Sequence, residues 1–185
     1  MISRESPLDE IKILIKECLG QLYTKDALLF NRNNRRGICE RCLVFRFAHY
    51  LQNNLTNFFV DCDFNSSFEG LIDQNGRVYQ VTERPGKQIQ NEDGTVTKRF
   101  VDIIVHKRIF DGNNDFICFE IKKWNNRSQS DIDKDTNNLK RLTSDYGYRY
   151  GFYLILGDTK ENSQWAIFQN GHVIQENRLV FGNEN

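Results

Sequence analysis

Val101-Asp102-Ile103-Ile104-Val105-His106, followed by Phe116-Ile117-Cys118-Phe119-Glu120-Ile121-Lys122, is the part of the chain whose reading decides the fold. In an extended chain successive side chains point to opposite faces. Alternation therefore places Val101, Ile103 and Val105 on one face of the first segment and Asp102, Ile104 and His106 on the other. In the second segment it groups Ile117, Phe119 and Ile121 and sets Glu120 beside Lys122 on the opposite side. Asp111-Gly112-Asn113-Asn114 reads as a turn, so strands Phe100 to Arg108 and Phe116 to Lys123 are expected to pair as an antiparallel hairpin. Two carboxylates then converge with an ammonium alongside.

Nearby carboxylates raise one another's pKa unless a cation sits between them. Magnesium takes oxygen ligands, keeps several waters and commonly uses one or two protein carboxylates. Asp102 and Glu120 are thus candidate metal ligands, and Lys122 a candidate to steady an attacking water or the transition state of phosphodiester hydrolysis. The simpler alternative is a structural salt-bridge group at a sheet end. Against it, a buried ion pair is a poor stabiliser and an extra carboxylate makes it poorer.

The flanking chain supplies the remaining elements. Upstream, Ser6-Pro7-Leu8-Asp9 reads as a helix start with Ser6 as N-cap, and Leu8, Ile11, Leu14, Ile15, Leu19 and Leu22 recur at helical spacing. A second helix from about Ile38 to Leu55 carries the stripe Leu43, Val44, Phe47, Leu51, Leu55, and Glu40 begins that inward row. Glu40 either joins the acidic site or only complements the helix N-terminus. Phe58 to Phe64 reads as a strand, and Asn75-Gly76, Pro85-Gly86 and Asp93-Gly94 mark hairpin-like excursions after it. Downstream, Ser130-x-x-Asp133 opens a polar helix with the narrow stripe Ile132, Leu139, Leu142. The apolar run Gly151 to Leu156 suits a strand covered on both faces, and Trp165 to Phe168 with His172 to Ile174, joined at Asn170-Gly171, make a last hairpin.

Arg99-Phe100-Val101-Asp102 followed by Phe119-Glu120-Ile121-Lys122-Lys123, with Glu40 on the upstream helix, resembles the PD-(D/E)XK nuclease superfamily. The resemblance runs from roughly Ile38 to Leu156 and implies an α/β, restriction-endonuclease-like α-β-β-β-α-β core with a mixed central sheet flanked by helices. The first helix, a hairpin insert and the C-terminal hairpin would be additions to it. It further implies a Mg2+- or Mn2+-dependent endonuclease acting on DNA, with Asp102, Glu120, Lys122 and Glu40 as catalytic residues and Asp102 and Glu120 as metal ligands. The competing expectation is a catalytically inactive protein of the same fold that binds nucleic acid or another protein.

The 185 residues fit one domain, 1–185, and 39% hydrophobic content with 14 Phe and 7 Tyr indicates a packed core. No long apolar run suggests a membrane span and no uninterrupted apolar segment suggests a signal peptide, so a cytoplasmic protein is expected. Five cysteines form no regular framework; Cys39 and Cys42 are read as small buried residues rather than a zinc or redox pair. The net charge is zero, so any polyanion site is local. Arg32, Arg35, Arg36, Arg41 and Arg46 form one basic cluster, and Lys98, Arg99, Lys107 and Arg108 another. Arg35, Arg36, Arg99, Lys123, Lys134 and Lys140 are the expected nucleic-acid contacts, with a homodimer or partner protein adding affinity. No glycine-rich phosphate loop or serine elbow points to a small-molecule substrate.

Overall fold

In the computed structural model the described residues are 2–30, 39–64, 67–72, 78–84, 88–90, 96–98, 101–107, 115–125 and 128–178, with backbone alone for 63–98 and 178. The turn pairs Asn75-Gly76, Pro85-Gly86 and Asp93-Gly94, the turn Asp111 to Asn114, and Arg32, Arg35, Arg36, Arg99 and Arg108 lie outside them.

Helix α1, Leu8–Lys25, starts one residue later than expected: Pro7 is the N-cap. Ser6 instead accepts the Ser3 N–H on its Oγ at 3.1 Å. The stripe Ile11, Leu14, Ile15, Leu19 and Leu22 is buried as its spacing requires, joined by Cys18. A 3-10 turn, Ala27–Phe30, follows, and helix α2, Glu40–Asn54, buries Leu43, Val44, Phe47, Ala48, Tyr50 and Leu51. Arg46 of the expected basic cluster is engaged by Asp26 at 3.0 Å, in a group with the Tyr50 hydroxyl.

Strand β1, Phe59–Phe64, precedes two separate two-stranded hairpins: β2, Ser67–Ile72, with β3, Val78–Arg84, and β4, Gln88–Gln90, with β5, Val96–Lys98. Then come β6, Val101–His106, β7, Asp115–Lys123, helix α3, Gln129–Asp145, and β8, Tyr150–Leu156. After a short 3-10 turn, β9, Gln164–Gln169, and β10, His172–Arg178, complete the order.

The fold is mixed α/β, with a six-stranded sheet in the order β1-β6-β7-β8-β9-β10. Strands β6 and β7 pair antiparallel, with Ile103 opposite Phe119, as their patterns predicted. Strands β7 and β8 pair parallel through the α3 crossover. The C-terminal hairpin is part of this sheet, since β9 pairs with β8 along Gly151 to Ile155. Its turn, Asn170-Gly171, has φ of 50° and 78°, the left-handed pair that a two-residue hairpin needs.

Helices α1 and α2 cover one face. Ile103, Val105, Ile117, Phe119 and Ile121 meet them there, with Phe152, Leu154 and Leu156 of β8. Helix α3 covers the other face, where Leu139 and Leu142 pack with Ile104, Cys118, Tyr148, Tyr153 and Phe168. Val101 also joins this second cluster, so strict alternation breaks at the start of β6. The helix starts at Ser128, whose Oγ accepts the Asp131 N–H at 3.1 Å, two residues before the expected cap. Gly151 lets α3 lie close to β8: a Cβ there would stand 3.2 Å from Leu139 Cδ2 and 3.3 Å from Thr143 Cγ2. Among the described residues no helix is long and apolar enough to cross a membrane.

Candidate active site at the end of strands β6 and β7

The two strands part where the charged residues begin. Cα partners run from Ile103 and Phe119 onward, while beyond that pair β6 stays with β1, Val101 opposite Phe64. The Ile121 N–H therefore has no ladder carbonyl from β6 and donates to Asp102 Oδ2 at 2.7 Å instead. One residue on each side of Ile121, Glu120 and Lys122 face α3. The Asn138 side-chain amide donates to Glu120 Oε1, and Lys122 Nζ stands 3.0 Å from Asp135 Oδ2. From the opposite layer, Glu40 at the first position of α2 reaches the same corner. Its Oε2 accepts the Lys123 N–H at 3.0 Å and its Oε1 lies 3.7 Å from Lys122 Nζ.

The structure thus brings together all four residues expected to be catalytic, and α3 adds Asp135 and Asn138. Among the described residues, four carboxylates, Glu40, Asp102, Glu120 and Asp135, gather around the Lys122 ammonium, and the Lys134 charge also acts on Asp135. Glu120 is only 4% exposed. Burial pushes the Asp102 carboxyl up to about 6, although the Ile121 N–H and the Lys122 charge both oppose the rise. Burial also drives Glu120 well above the usual carboxylate range, helped by the negative charges of Asp102 and Asp135. Asp135 is raised by burial against the pull of Lys122. Burial works against the Lys122 charge as well, but the ion pair with Asp135 and the surrounding carboxylates hold it above the ordinary lysine range.

This donor set has the chemistry a hard divalent cation takes: it is all oxygen, rich in carboxylates and largely shielded from water. Asn138 Oδ1, on a side chain that is 3% exposed, meets no hydrogen-bond partner, so the buried corner also holds a neutral acceptor to spare. As the side chains stand, no three His, Cys, Asp or Glu among the described residues surround one point at ligand distance. Asp102 stands near enough to Glu120 for its charge to raise that carboxyl further.

The expected nucleic-acid contacts divide. Lys123 is buried, with Nζ 4.8 Å from the centre of the Trp124 ring, and it enters the site through its main-chain N–H. Lys134 is exposed beside Asp135, whereas Lys140 is partly buried farther along α3. Arg35, Arg36 and Arg99 lie outside the described residues. His106 pairs with Asp61, Nε2 to Oδ2 2.7 Å, which accounts for both side chains away from the cluster. Cys39 and Cys42, expected to be buried, are exposed: at the start of α2 only Glu40 is partly buried, and the buried row begins at Leu43.

Asp135 and Asn138 were missed in the sequence. The signal was present, since Asp135 follows Ile132 by three and precedes Leu139 by four, the same inward spacing that singled out Glu40. Comparison with models of known families, with curated proteins and with solved structures found nothing that matches this chain.

Proposed function

We propose that the protein is a divalent-metal-dependent phosphodiesterase that hydrolyses DNA internally by direct attack of water. The observation that carries this reading is the convergence of Asp102, Glu120 and Lys122 in one buried corner rich in carboxylates. Mg2+ or Mn2+ bound by Asp102 and Glu120 would supply an activated water and screen the charge that grows on the phosphate.

The protein's own groups do the rest. The Ile121 N–H and the Asn138 amide each hold one oxygen of a ligand carboxylate, which fixes the direction of its free oxygen. Lys122, kept protonated by its acidic neighbours, stabilises negative charge on the phosphoryl oxygens and on the attacking water as its proton leaves. The water oxygen bonds to phosphorus, the ester P–O bond breaks, and the departing oxygen ends protonated. Glu40, anchored at the Lys123 N–H, serves as the auxiliary acid that faces Lys122. DNA as substrate follows from the resemblance of Asp102 with Glu120-Ile121-Lys122 to PD-(D/E)XK enzymes. With a net charge of zero, binding would be local and salt-sensitive, favouring a dimer or partner protein.

The test is cleavage of supercoiled plasmid, linear duplex, single-stranded DNA and RNA with Mg2+, Mn2+ or EDTA, beside Asp102→Ala and Lys122→Ala. Metal-dependent nicking that both variants slow severely is the expected result. Cleavage that survives EDTA, or is equal in the variants, refutes the mechanism; binding without cleavage under any ion favours the non-catalytic module.

A further inference from the structure

Two helices from opposite layers each offer Lys122 a carboxylate, and the offers differ. Asp135 Oδ2 of α3 is at 3.0 Å and Glu40 Oε1 of α2 at 3.7 Å. Glu40 already takes a main-chain N–H on its other oxygen, so its place is set by β7 rather than by the lysine. Asp135 is buried on the inward row of α3, one turn from Ile132 on one side and Leu139 on the other. A buried carboxylate added to a cluster already rich in them is a poor device for stability. Its presence calls for another explanation.

Resting on the nuclease reading above, we propose that Asp135 is a positioning residue: it fixes the Lys122 ammonium over the carboxylate pair, so that α3 sets where the lysine acts. Lysine carries its charge on a flexible four-carbon stem. Left to itself among Glu40, Asp102 and Glu120, the ammonium would settle on whichever carboxylate it reached, including those that would hold the metal. Asp135 draws it to the α3 side. Displacing a reacting group by about 1 Å can cost on the order of a hundred-fold in rate, so a fixed partner matters.

The experiment combines a double-mutant cycle with a direct view of the ammonium. Single-turnover plasmid cleavage with Mg2+ is measured for the wild type, Asp135→Asn, Lys122→Ala and the double variant, and 15N NMR follows the Lys122 ammonium in the wild type, Asp135→Asn and Glu40→Gln. Asp135→Asn should slow cleavage roughly ten- to hundred-fold, as loss of an outer-shell partner does, and should add nothing once Lys122 is alanine. The Lys122 ammonium signal, slowed in exchange by its ion pair, should vanish in Asp135→Asn and persist in Glu40→Gln. Asp135→Glu, which returns a carboxylate, should recover part of both readouts and so separates lost charge from lost fold. A further loss in the Lys122→Ala background, or an unchanged ammonium signal in Asp135→Asn, overturns the proposal. A wild type that cleaves nothing while the signal responds as expected overturns the nuclease reading instead, and the catalytic role of Asp135 with it.

Discussion

The two faces of the central sheet are built on opposite principles. Against α1 and α2 the sheet is dry and aromatic: Phe47 meets Phe119 edge-on at 5.6 Å between ring centres, and Phe119 stacks on Phe152 at 5.4 Å. Against α3 the apolar cluster is smaller, and at its edge the same strands present Asp102, Glu120 and Lys122. Burial contributes roughly 25 cal/mol per Å² of apolar surface on the first face. On the second it opposes every charge it encloses. The contrast teaches that the apolar core and the charged corner share strands but not surfaces.

Four measurements would break or sharpen that contrast. The largest effect belongs to the dry face: Phe119→Ala should cost about 3–5 kcal/mol in denaturant unfolding, with cleavage per folded molecule retained. A loss near zero would mean that the aromatic layer is not what holds the sheet. Next, Glu120→Gln should remove roughly a hundred- to a thousand-fold of cleavage while leaving the melting temperature level or higher, because it deletes a charge that burial disfavours. Melting as low as that of a core variant would put Glu120 among the structural residues.

Third comes pH. The folded Asp102 carboxyl titrates near 6, above its usual 3.8, so the folded state binds this proton more tightly than the unfolded chain does. Its contribution is full below about pH 4 and is lost as pH rises through about 6, on the order of 3 kcal/mol. Without metal, the wild type should therefore lose stability relative to Asp102→Asn across that window, and Mg2+ should restore it as it displaces the proton. Parallel pH curves for the two proteins would contradict this. The smallest effect is at the cap: Ser128→Ala should cost about 1 kcal/mol by removing the acceptor for the Asp131 N–H, and a larger loss would show that α3 is rooted there more firmly than a single cap allows.

Legibility in the sequence followed the same division. Asp102, Glu120, Lys122 and Glu40 could be read because each interrupts an apolar strand or stripe, where a charge stands out against its neighbours. Asp135 and Asn138 lie in a helix polar on most of its surface, so an inward acid looked like one more solvated one beside Asp131 and Asp133. The antiparallel pair and the final hairpin followed from alternation and turn chemistry. That β9 continues the main sheet did not, because period-two patterning reveals that a strand has two faces but not which edge it joins. Cys39 and Cys42 differ for a related reason: residue type suggests burial, whereas both stand at a helix start, ahead of the buried row that begins at Leu43.

Gly151 touches none of the charged groups, yet the alignment of the corner depends on it. A methyl there would press on Leu139 and Thr143, and relief comes either from turning those side-chain ends or from lifting α3 by a few tenths of an ångström. Leu139 lies one turn beyond Asp135, so the same lift opens the gap between Asp135 and Lys122. The distance between two layers of the fold is thus a dial on the charged corner, set from a strand position outside it, and drift at that position would shift the proposed site while leaving each of its charged side chains intact.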